Sequence, residues 1–178
     1  MNARVGVLLG LVLAAAASRL LPHPPNVTPV AALALFGGAH FGRLWQACAV
    51  PLGAMLLSDL VIGLHALIPF VYGSLALAVL IGIWVGRRLT PGRVAAGAVG
   101  SSVLFFLVTN FGVWAQGALY PRTADGLLAA YVAALPFFRN TVAGDLFYAA
   151  VLFGGFALLE RAVPALRTRP GVMERAGR

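Results

Sequence analysis

Six apolar runs fill most of this chain, and each reaches or approaches the roughly 20 residues that a helix needs to cross a hydrocarbon core of about 30 Å. We place these runs at residues 4–21, 28–42, 45–64, 67–87, 93–116 and 139–163. One soluble core cannot hide so much apolar surface: 61% of the 178 residues are hydrophobic, 10% are charged, and the mean hydropathy is +0.92. The fold class implied is an all-α integral membrane protein, a bundle of six transmembrane helices spanning residues 1–164, followed by a basic cytoplasmic tail at 165–178. The second run is short; Thr28 is placed to cap its helix, with Pro29 at the first helical position, where a missing N–H costs nothing. The segment "ADGLLAAYVAALPFF", residues 124–138, is too short to cross and reads as an interfacial or partly inserted helix ending at Pro136.

The formal net charge of +8 comes from 13 arginines, no lysine and 5 acids. Such a balance can signal nucleic acid, but these arginines stand singly between apolar runs, so the partner is the lipid bilayer and no nucleic acid is implied. With the N-terminus inside, ten arginines fall on the cytoplasmic side (Arg4, Arg43, Arg87, Arg88, Arg93, Arg161 and four in the tail), against Arg19, Arg122 and Arg139 outside. This positive-inside bias puts both termini in the cytoplasm, as in a multi-pass protein of a bacterial cytoplasmic membrane. An alternative for the first run is a cleaved signal peptide, since "MNARVGVLLGLVLAAAAS" has a basic start, an apolar centre and small residues. Gly6, Gly10, Ala14 and Ser18 recur at every fourth position in it, a small-residue stripe suited to close helix packing, either within the chain or against a partner. The same spacing recurs at Gly38 with Gly42 and at Gly82 with Gly86.

Polar groups inside a membrane are costly, so their positions carry information. Asp59, Asn110 and Asp145 each fall about 5–6 residues from the outer end of their helices, which suggests one polar layer beneath an outward-facing cavity. Above it lie His23 and Asn26 in the first loop, then His65 and Tyr72, then Trp114, Gln116, Tyr120 and Arg122, then Arg139 and Asn140. Convergent polar and aromatic groups on an apolar scaffold are the usual composition of a small-molecule site. The plain alternatives are an interfacial aromatic belt for Trp114 and Tyr120 and a headgroup position for His23. The single Cys48 allows no internal disulfide and no cysteine metal cluster. No HExxH, GxSxG, P-loop or zinc spacing is present, so neither an enzyme, nor a metal site, nor a cofactor is expected.

The stretches "RLLPHPPNVTPVAALALFGGAHF", "LLSDLVIGLH", "FVYGSLAL", "FFLVTNFGVWAQGALYPRTADGL" and "ALPFFRNTVAGDLFYAAVLFG", together covering most of Arg19 to Gly154, resemble the DUF6580 family of small bacterial membrane proteins. That family is similar to the substrate-binding S components of energy-coupling factor (ECF) transporters, in particular the solitary S component for cobalamin. The resemblance implies six helices, both termini inside, a pocket near the outer face, and a small-residue face on the first helix that meets an ECF coupling subunit with its ATPases. It makes the expected function the capture of a vitamin-sized solute from outside, with cobalamin or a related cobamide as candidate. His23, Asn26, Asp59, His65, Tyr72, Asn110, Trp114, Arg139, Asn140 and Asp145 would line the site. Cobalamin-type relatives ligate cobalt through an outer cysteine; Cys48 lies at the other side, which leaves His23 or His65 to act instead. Two other readings stand beside this one: a non-transporting assembly partner of another membrane protein, and a membrane enzyme using Asp59 with Asp145 as an acid/base pair.

Overall fold

The computed structural model describes residues 3–22 and 24–167; His23 and the tail from residue 168 onward lie outside the described residues. Among the described residues there is no strand. The helices are α1 (Ala3–Ser18), α2 (Val30–His40), α3 (Leu44–Ile62), α4 (Ile68–Gly86), α5 (Pro91–Gln116) and α6 (Ala124–Ala149). The last of these continues through a π-helical turn, Ala150–Gly154, into α7 (Gly155–Ala162). Four helices are long and apolar enough to cross a membrane: α3, α4, α5 and the unbroken 39-residue stretch Ala124–Ala162. Shorter apolar helices are α1, with 16 residues, and α2, with 11.

The centre of the bundle is α2. Every residue from Val30 to Ala39 is buried, and α2 packs against α1, α3, α4, α5 and α6. A helix that is apolar on all sides can satisfy its surface only inside a protein or a membrane, and "VAALALFGGA" has no polar face. Its closest neighbour is α4. A Cβ added to Gly38 would fall 2.1 Å from the Val79 carbonyl oxygen, and one added to Gly82 would fall 2.3 Å from that of Leu35. Gly86 faces Ala39 in the same way, with its Cβ position 2.7 Å from the Ala39 carbonyl oxygen. Glycine at these positions brings two backbones into direct contact, the packing that small residues permit between membrane helices.

Two local expectations are corrected. Thr28 does not cap α2 and Pro29 is not its first helical residue: the helix starts at Val30, and Pro29 is the N-cap with no side-chain cap bond. Residues 124–138 do not form a separate helix ending at Pro136. Proline removes one helical N–H and strains the preceding turn, but α5 supports the chain on both sides of it. The Tyr131 hydroxyl donates to the Leu107 carbonyl at 2.8 Å, and the Phe138 ring lies 4.7 Å from that of Phe106. At 1.5 Å per residue the 39-residue stretch is about 58 Å long, well beyond a hydrocarbon core of about 30 Å.

The face that α1 turns to the core is Leu8, Val12 and Ala16. On its small-residue stripe, Gly10 and Ala14 are exposed, and a Cβ on Gly10 would meet nothing within 4 Å. Arg4 fixes the start of α1 to the end of the chain, through an ion pair with Glu160, a bond to the Leu166 carbonyl and a guanidinium 4.9 Å above the Phe156 ring.

Because the obstacle at Gly38 and Gly82 is backbone, even one added methyl must push α2 and α4 apart. Gly38→Ala or Gly82→Ala should lower stability by at least about 1–3 kcal/mol. Gly53→Ala, in α3 with open space around its Cβ, should be neutral or slightly stabilising. Thermal unfolding of the purified variants in detergent checks the contrast.

Candidate functional site

The described parts of the first connection, 19–22 and 24–29, gather with the connections 63–67 and 117–123 at one end of the bundle, and polar side chains collect beneath them. Arg19 leaves the last turn of α1, where its N–H still bonds the Ala16 carbonyl. Asp59 stands in the last turn of α3, which Gly63 closes at φ +118°, a backbone conformation glycine adopts without strain. Arg19 Nη1 lies 2.9 Å from Asp59 Oδ1, and the Tyr72 hydroxyl of α4 donates to Asp59 Oδ2 at 2.9 Å. The same guanidinium donates to Ser58 Oγ. Asp59 is only 2% exposed, so its charge is tolerable only because one arginine neutralises it and both oxygens are bonded. The cluster locks together one end of α1, α3 and α4.

A second group surrounds a small cavity of about 110 Å³. Asn26 reaches it from the first loop, from a tight turn in which the Val27 N–H bonds the Pro24 carbonyl at 3.1 Å. Its φ of +62° is left-handed, a conformation asparagine tolerates better than most residues. Thr109 and Asn110 of α5 and Thr141 of α6 line the cavity with it, and the remaining wall is largely phenylalanine: Phe105, Phe106, Phe137 and Phe138. Asn110 Nδ2 donates to the Phe106 carbonyl at 2.8 Å, which leaves its amide oxygen and second N–H for a ligand. Asn140 Nδ2 donates to the Pro25 carbonyl at 3.1 Å and so tethers the first loop to α6 beside the cavity. The lining is polar and aromatic but carries no charge.

Asp145, 2% exposed, lies elsewhere in the bundle. Its Oδ2 is 2.6 Å from the Ser102 hydroxyl of α5, and it accepts the Ala32 backbone N–H. Ala32 is the third residue of α2, whose first-turn N–H groups have no partner within the helix. The carboxyl therefore caps the buried end of α2 from another helix, the role for which Thr28 was the sequence candidate. Among the described residues, Asp59 and Asp145 share no hydrogen-bond partner.

A model of a family of unknown function, DUF6580, matches residues 1–166. The chain belongs to the DUF6580 family. No curated protein and no solved structure matches it.

In this DUF6580 protein the other candidate residues serve mainly to fasten loops. Trp114 Nε1 donates to the Thr123 carbonyl at 3.1 Å and Arg122 donates to the Gln116 carbonyl at 3.2 Å, closing the α5–α6 connection around Gly117 at φ +70°. Gln116 in turn donates to the Ala66 carbonyl at 2.9 Å, in the turn that holds the exposed His65. Arg139 is exposed on α6. Neither His65 nor Arg139 lines the small cavity. Sequence reasoning left Arg19, Ser58 and Ser102 off the list of site residues. The signal for Arg19 was present: a lone cation beside an apolar helix, in a chain with a lone acid near the end of another. Nothing in the sequence links Ser102 to Asp145, 43 residues away.

Two sets of variants test these assignments. Arg19→Met or Asp59→Leu alone should each destabilise the protein by about 3 kcal/mol, because either leaves a buried charge unpaired, while the double variant should recover most of the loss. Asp145→Asn, which keeps an oxygen for the Ala32 N–H, should cost less than Asp145→Leu, for which we expect about 1–3 kcal/mol. Both are read from detergent unfolding curves.

Proposed function

We propose that this protein is a solute-binding membrane protein of the S-component type, with six crossing helices in the bacterial cytoplasmic membrane, both termini cytoplasmic, and a site that receives its solute from outside. The observation that carries this reading is the uncharged cavity beneath the first loop, where Asn26 and Asn110 converge over a phenylalanine wall. The arginine distribution supports the orientation: Arg4, Arg87, Arg88 and Arg93 belong to the opposite end of the bundle from that cavity. Asn26, Asn110 and Thr141 would supply directed hydrogen bonds and the aromatic rings the contact area, the division of labour usual in small-molecule sites.

At about 110 Å³ the cavity falls below the roughly 300–1,000 Å³ of typical ligand sites. A vitamin-sized solute such as a cobamide would enter only by displacing the first loop, whose tether is the bond from Asn140 to Pro25. The Arg19–Asp59–Tyr72 cluster would hold the ends of α1, α3 and α4 fixed while the loop moves. Release to the cytoplasm would need an ECF-type coupling subunit with its ATPases, and the exposed Gly10 and Ala14 face of α1 is the surface we assign to it.

The second reading, a non-transporting assembly partner, is favoured by that same open face of α1. The two readings separate in one experiment. Purified protein is screened for a retained solute by mass spectrometry, and for a rise in melting temperature with a vitamin panel that includes hydroxocobalamin. Under the solute-binding reading one compound is retained or stabilises the protein. Asn110→Ala, and Asn26→Gly, which keeps the left-handed turn unstrained, should then weaken it about tenfold or more, as expected when directed hydrogen bonds are lost. No retention and no shift across the panel would leave the assembly reading in its place.

A further inference from the structure

The larger cavity lies at the other end of the molecule. It has a volume of about 470 Å³ and is bounded by the start of α5 on one side and by α6, the π-helical turn and α7 on the other. Its floor is hollow because the residues there are small: Ala149, Ala150, Gly154 and Ala157. The π-helical turn Ala150–Gly154 falls within this wall, and such bulges recur at functional sites. Val94, Leu146, Phe153 and Phe156 make the lining predominantly apolar. A predominantly apolar space of this size suits hydrocarbon better than water.

Three polar residues line the cavity: Thr90, at the rim where it meets the α4–α5 connection, and His40 and Glu160. Leu89, Thr90 and Pro91 form that rim, directly after the exposed Arg87 and Arg88. Nearby charges are otherwise engaged. Glu160 is paired with Arg4, and Arg93 stacks on Trp84 with its guanidinium carbon 4.1 Å from the ring centroid while also bonding the Trp84 carbonyl. Among the described residues no ion pair involves Arg87 or Arg88. A largely apolar slot whose rim follows two exposed cations directly in the chain is complementary to an amphiphile with a hydrocarbon tail and an anionic head.

We propose that this cavity is a specific site for an anionic phospholipid of the surrounding bilayer. One acyl chain lies between α5 and the α6–α7 stretch, and the phosphate is met by Arg87, Arg88 and the Thr90 hydroxyl. Basic pockets between membrane helices recognise anionic head groups in this manner. The site lies apart from the first-loop cavity and does not depend on what that cavity binds.

The test reconstitutes the full chain in vesicles of equal phosphatidylglycerol and phosphatidylcholine, extracts it in mild detergent and counts bound lipid by native mass spectrometry. The wild type should retain one phosphatidylglycerol, enriched about tenfold or more over phosphatidylcholine. Arg87→Gln with Arg88→Gln should abolish the enrichment. Gly154→Leu, whose side chain enters open space, should displace the lipid while the protein keeps its melting temperature in lipid-free detergent; Ala157→Leu serves the same purpose if Gly154→Leu does not fold. Equal retention of the two lipids, no retained lipid on folded wild type, or undiminished occupancy in a folded cavity-filling variant would overturn the proposal.

Discussion

The rest of the structure depends on the complete burial of α2. An 11-residue helix with no polar face has to be surrounded, and five other helices surround it. Two physical demands follow. The backbones must approach closely, which Gly38, Gly82 and Gly86 allow on the α4 side and Gly37 allows against Pro51 of α3, where its added Cβ would lie 3.1 Å from Pro51 Cγ. The helix ends also fall inside apolar surroundings, where an unpaired N–H is expensive. Asp145 meets the second demand by reaching Ala32 from α6. A costly buried acid is thereby explained by a costly buried helix end.

The charged groups of the bundle follow the same logic of local compensation. Arg19 and Asp59 neutralise one another and recruit Ser58 and Tyr72, whereas Arg4 and Glu160 do the corresponding work at the opposite end, aided by the Phe156 ring. Both pairs join elements far apart in sequence, α1 to α3 and α1 to α7. The first helix is thus anchored at both ends, while its Gly10 and Ala14 face stays free of the bundle.

Much of the architecture was legible from hydropathy alone, because the period and length of apolar runs directly reflect the cost of exposing backbone to lipid. Each apolar run falls on helical chain, although the sixth is only the later part of the stretch Ala124–Ala162, and membership of the DUF6580 family holds over residues 1–166. Local propensity misled at two places. Thr28 before a proline is a good capping signal, but the chain at 27–28 passes over α6, where Gly144 lies against the Val27 backbone, and the helix begins later. Pro136 is a good stop signal in an isolated helix, and packing against α5 outweighs it.

The sequence by itself determined that this chain is a bundle of apolar helices with few, isolated polar groups, because hydrophobic runs of this length have no other way to pair their backbone. Which polar groups meet was decided only by the tertiary structure. Asp59, Asn110 and Asp145 stand at similar depths along their helices, yet Asp59 faces Arg19 and Tyr72, Asn110 faces Asn26 across a cavity, and Asp145 faces Ser102 and the end of α2. Depth follows from counting residues along one helix. Direction depends on how each helix is rotated against its neighbours, and that rotation is set by glycine contacts and side-chain packing between segments distant in the chain.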